Sequence, residues 1–86
     1  MTIEQIEKFI TTHIKGFNEP VKISFKTRNA VEGIFIQTPD FVELKGKNFW
    51  RIVTATHMEN YMKSKDTNLA RVFNGAEFTK LSASKA

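Results

Sequence analysis

Two glycine-centred segments at opposite ends of a β-rich stretch constrain this chain most. The first runs Pro20-Val21-Lys22-Ile23-Ser24-Phe25, through Arg28-Asn29, to Val31-Glu32-Gly33-Ile34-Phe35. The second is Leu69-Ala70-Arg71-Val72-Phe73-Asn74-Gly75-Ala76-Glu77-Phe78-Thr79-Lys80-Leu81. Val21, Ile23 and Phe25 alternate with Lys22, Ser24 and Lys26, the two-residue period of a half-buried strand. Arg28-Asn29 reads as a short turn, with Asn29 tolerant of positive φ. Gly33 inside the strand pattern marks a sharp bend or a close backbone approach, the device by which small barrels curl. Asn74-Gly75 between apolar runs is a strong short-range hairpin signal.

An amphipathic helix precedes these segments. Ile3, Ile6, Phe9, Ile10, Ile14 and Phe17 recur at three- and four-residue steps, one apolar stripe expected to lie over a core. Thr2 and Gln5 have capping-box spacing, Gly16 suits a helix end, and Pro20 closes the linker. Between the two segments, residues 30–38 read as a strand broken by Pro39-Asp40. Phe41-Val42-Glu43-Leu44 reads as a third strand, Gly46-Lys47-Asn48 as a turn, and residues 49–54 as a fourth strand. Met58, Tyr61 and Met62 share a face of a short helix near 57–63, residues 64–68 read as a loop, and residues 69–73 and 78–81 as the last strands. The expectation is a mainly β domain over residues 1–82: a helix at 1–17, a five-stranded, strongly bent sheet or open barrel at 21–81 with a variable insertion at 46–68, and a disordered tail at 83–86 that Ser82 introduces.

Eighty-six residues form one small domain, for which burying an edge in an oligomer would add stability. There is no cysteine, which excludes disulfides and thiolate metal sites. The first apolar stretch carries Glu4, Glu7 and Lys8, unlike a signal peptide, and no apolar run approaches membrane-span length, so a soluble cytoplasmic protein without membrane partners is expected. Thirteen Lys and Arg stand against nine Asp and Glu, a net charge of +4. The excess falls after residue 20, with Lys45, Lys47, Arg51, Lys63 and Lys65 facing only Glu59 within residues 44–65. That bias fits either a polyanion partner or a solvated surface.

In order and spacing, Pro20, Val21, Ile23, Asn29 and Gly33, then Phe41-Val42, then residues 69–81, resemble the Sm-like family, and the front half resembles its bacterial RNA-chaperone branch most. The resemblance covers about half of the chain and implies self-association into a ring and binding of single-stranded RNA. It places Phe41 where the family stacks a base, Glu43 where many members hold an Asn that reads uracil, and Asn74, before Gly75, where an Arg is frequent. Glu43 accepts only and repels phosphate, so both departures point away from a uridine pocket. Lys45, Lys47 and Arg51 around Trp50 interleave cations with an aromatic, as single-strand binders do. The expected RNA-binding set is therefore Phe41, Glu43, Asn74, Gly75, Lys45, Lys47 and Arg51. The alternatives are a scaffold or protein-interaction module of the same Sm or SH3-like kind without RNA binding, or an unrelated α+β interaction domain. His13 and His57 are isolated and no phosphate-cradling glycine loop occurs, so no enzyme, cofactor or metal site is expected.

Overall fold

The computed structural model describes residues 1–12 and 19–83. Helix α1 (Ile3–Thr12) is followed by strands β1 (Pro20–Phe25) and β2 (Val31–Phe35), helix α2 (Phe41–Gly46), strand β3 (Phe49–Thr54), helix α3 (Ala55–Ser64), and strands β4 (Arg71–Asn74) and β5 (Phe78–Ala83). One-turn 3-10 segments lie at Thr67–Leu69 and Gly75–Glu77. The five strands form one antiparallel sheet in the order β4-β3-β2-β1-β5. No helix among the described residues is long and apolar enough to cross a membrane.

The expected capping box is present: Thr2 N donates to Gln5 Oε1 at 2.9 Å, and Gln5 N donates to Thr2 Oγ1 at 3.2 Å. It starts α1 so that Ile6, Phe9 and Ile10 fall on one buried face. They pack with Val21, Ile23, Phe35, Trp50, Ile52, Phe78 and Leu81, the main core. A second core occupies the opposite face of the sheet. There Ile34, Ile36 and Val53 meet Tyr61, with Met58 alongside, so α3 seals the outer face of β2 and β3. This explains why consecutive residues such as Ile52 and Val53 are both buried, against the alternation of a half-buried strand.

The sheet is strongly bent. Two strands lie between β4 and β1, which in a flat sheet would hold them about 14 Å apart. Yet the rings of Phe73 on β4 and Phe25 on β1 have centroids 5.8 Å apart. Gly33 permits part of this curvature. A Cβ there would lie 2.6 Å from the Val53 carbonyl oxygen and 2.8 Å from Ile52 Cγ2. The sheet is not closed by hydrogen bonds, because β4 and β5 are its two edges.

Several expectations are corrected. Phe41-Val42-Glu43-Leu44 is helical, in α2. Phe41 N donates to the Thr38 carbonyl and Leu44 N to the Asp40 carbonyl; residues 41, 44 and 45 form the half-buried side of α2, which lies against β3. Asn74-Gly75 makes no hairpin: Gly75 opens a 3-10 turn, and β5 pairs with β1 instead of β4. Among the described non-glycine residues, positive φ occurs at Asn48 (φ 62°) and Lys65 (φ 57°), and Asn29 does not use the positive φ it would tolerate. Ser82 and Ala83 belong to β5, paired with Lys22 and Val21 rather than lying in a tail. The expected helix positions 13–17 and the tail 84–86 lie outside the described residues.

Replacing Gly33 by Ala forces a Cβ onto backbone and is expected to cost about 1–3 kcal/mol, read as a lower urea midpoint. Gly46→Ala, where a Cβ meets nothing within 4 Å, is the control and should leave the midpoint unchanged or slightly higher. Equal midpoints for the two variants would contradict the close packing at Gly33.

Candidate functional site

The seven residues expected to bind RNA are dispersed. Phe41 is half-buried, edge-on to Trp50 with ring centroids 5.9 Å apart, and Lys45 Nζ lies 5.8 Å from its centroid. The Lys45 ammonium also donates to Glu7 Oε2 at 2.5 Å, which ties α2 to α1. Arg51 grips Asp40 as a fork, Nη2 to Oδ2 at 2.8 Å and Nε to Oδ1 at 3.3 Å, and the Thr38 hydroxyl donates to the same Oδ1. Two of the three expected cations therefore face carboxylates. Glu43 and Lys47 are exposed around them.

Asn74 and Gly75 have structural partners. The Asn74 carboxamide oxygen accepts from Ala76 N at 2.9 Å and so caps the 3-10 turn. Gly75 is buried under Trp50, where a Cβ would lie 2.8 Å from the indole nitrogen and 2.6 Å from Ile6 Cδ1. Its N–H donates to the Asn48 carbonyl at 2.8 Å. Its own carbonyl and that of Phe78 accept from the Met1 ammonium at 3.0 and 2.7 Å.

An open concave surface lies elsewhere. A depression of about 390 Å³ is lined by Phe25, Thr27 and Arg28 from the end of β1 and the following turn, and by Arg71, Val72, Phe73, Asn74 and Glu77 from β4 and the 3-10 turn. A second depression of about 320 Å³ shares Arg28, Arg71 and Phe73 and continues to Val31, Thr54, Thr56 and His57. The bend of the sheet makes this cleft, since it folds the β1–β2 turn over towards β4. The Arg28 guanidinium carbon sits 5.0 Å from the Phe25 centroid and 5.8 Å from that of Phe73. Neither Arg28 nor Arg71 has a carboxylate partner among the described residues. An arginine stacked on aromatics keeps its N–H donors at the rim and presents a flat face outward, which suits both an anion and a planar ring.

Of the expected residues, only Asn74 lines this cleft. The sequence signal for it was the spacing of cation and aromatic in each glycine-centred segment, Phe25-x-x-Arg28 and Arg71-x-Phe73. That the two halves meet depends on the curvature of the sheet. Among the described residues, no cluster of three His, Cys, Asp or Glu side chains could hold a metal ion.

The hydrogen bonds from Arg51 and then Thr38 hold the Asp40 carboxyl down to about 2, below its ordinary 3.8, and the same pairing raises Arg51. A depressed carboxylate contributes stability that is complete above its ordinary pKa and is lost as pH falls through the folded value. The urea midpoint should therefore drop between pH 4 and 2 more steeply in the wild type than in Asp40→Asn; identical profiles would contradict the pairing. No protein-family model, curated protein or solved structure matches this chain.

Proposed function

We propose that the chain is a non-enzymatic, single-stranded RNA-binding protein of Sm-like architecture that assembles into a homo-oligomeric ring. One observation carries the RNA reading. Arg28 and Arg71, unpaired by any described carboxylate, stand with Phe25 and Phe73 around one open cleft. Arginine supplies phosphate contacts, and its guanidinium plane and neighbouring aromatics are the surfaces on which unpaired bases stack. A concave depression of about 390 Å³ has room for a splayed nucleotide, whereas a duplex offers it only a rod of phosphates. The net charge of +4 acts in the same direction.

The Sm-like reading draws support from the strongly bent five-stranded antiparallel sheet behind an N-terminal helix, with β5 returned to β1 after a single 3-10 turn. The ring reading draws support from the edges. Both β4 and β5 end the sheet, and Val72 on β4 is 47 % exposed. Pairing β4 of one copy with β5 of the next would use the open edges and repeat around a closed ring. Val42 on α2, 72 % exposed, favours the alternative of a protein-interaction module.

Fluorescence anisotropy with short single-stranded RNAs tests this. Wild type is expected to bind with an affinity that falls with salt. The double variant Arg28→Ala/Arg71→Ala should bind more weakly, with a log–log salt slope shallower by about 1.4 for two lost phosphate contacts. Lys45→Ala, whose cation is already paired, should change little. Sedimentation at tens of micromolar should show a multimer. No binding at low salt would overturn the RNA reading in favour of a protein partner, and a monomer would overturn the ring.

A further inference from the structure

The larger depression is lined by polar groups of two kinds. Arg28 and Arg71 bring positive charge, while Asn74 and Glu77 bring a carboxamide and a carboxylate. Glu77 shares this depression with both arginines and yet forms a salt bridge with neither. Opposite charges that line one concave surface without pairing leave space between them for a ligand that contacts both. The main chain beneath Glu77 is held, because its carbonyl accepts from Lys26 N at 3.0 Å. The Asn74 carboxamide is oriented as well: its Oδ1 is committed to Ala76 N, which leaves Nδ2 as the group able to donate outward.

Resting on the single-strand RNA reading above, we propose that this depression selects guanine. Phosphate is repelled by Glu77 and settles towards Arg71 and the N–H rim of Arg28, which leaves the attached base to the Arg28 face, Glu77 and Asn74. A carboxylate only accepts hydrogen bonds, so it favours a base edge that carries donors side by side. Guanine alone has this on its Watson–Crick edge, with N2–H and N1–H adjacent and the O6 acceptor next in line. Glu77 accepts from the two N–H groups, and Asn74 Nδ2 donates to O6. Uracil offers a single N3–H between two carbonyl oxygens that a carboxylate repels. Adenine and cytosine each set a ring-nitrogen acceptor beside their amino group. The Arg28 plane, lying over Phe25 and Phe73, is the stacking surface for the base.

The test is anisotropy of labelled RNA octamers on the full chain: all uridine, and the same strand with two central guanines or two central adenines. Wild type is expected to bind the guanine strand about tenfold more tightly than either other strand, the size of one good bidentate base contact. In Glu77→Gln that preference should collapse to within about twofold, because an amide no longer offers two acceptors, while the all-uridine strand binds at least as well as before. Binding of all three strands with equal affinity, or a guanine preference that survives Glu77→Gln, would overturn the guanine assignment and leave the RNA reading standing. Failure of every strand to bind would overturn both.

Discussion

The hydrogen bond from the Trp50 indole to Asn48 is the contact on which the rest of the molecule depends. Trp50 is 1 % exposed, and its Nε1 donates to Asn48 Oδ1 at 2.8 Å. A buried indole N–H without a partner would cost about 1–3 kcal/mol. Asn48 can serve because it adopts the left-handed backbone (φ 62°), which Asn tolerates better than most residues. That conformation ends α2 and turns the carboxamide inward, where Nδ2 donates to the Met1 carbonyl at 3.1 Å and the Asn48 main-chain carbonyl accepts from Gly75. One residue thus joins the start of α1, the start of β3 and the turn between β4 and β5. Gly75 is required at this point because its missing side chain makes room for the indole and the carboxamide.

The cleft depends on that junction. The turn it anchors carries Glu77 at its end and Asn74 at its start, and Asn74 closes β4, the strand that bears Arg71 and Phe73. From the other side, Phe25 packs edge-on to Phe78 with centroids 5.4 Å apart, which fixes the end of β1 against the same turn. The curvature leaves β4 and β5 as open edges and brings two arginines and two phenylalanines together. The polar side chains on the opposite half of the molecule are spent differently. Lys45 with Glu7 and Arg51 with Asp40 fasten α2 to the helix and strand beside it, so their charges serve packing before any ligand.

Local patterns were legible wherever one period dominated. The stripe Ile3, Ile6, Phe9, Ile10 gave α1, the Val21-Ile23 alternation gave β1, and the shared face of Met58 and Tyr61 gave α3, which extends from Ala55 to Ser64. Gly33 marked a close approach, as it should when a strand passes against β3. Phe41 to Leu44 misled because four residues satisfy two periods at once; Asp40 three residues before Glu43 has helix-start spacing, but its carboxylate holds Arg51 and Thr38 and does not cap the helix. Asn74-Gly75 misled because the turn residues fitted a hairpin, while the partner of β5 was chosen by long-range packing of Phe78 and Leu81 into the main core. The cleft could not be assembled from the sequence, since Arg28 and Arg71 belong to segments that no local rule places in contact.

Ultraviolet crosslinking of a short single-stranded RNA to the protein, with the attached peptides identified by mass spectrometry, tests the central claim most directly. Crosslinked nucleotides are expected on Phe25 to Arg28 and on Arg71 to Glu77, the two walls of the cleft. Crosslinks confined to Phe41 to Arg51, or none at all under conditions of binding, would contradict it.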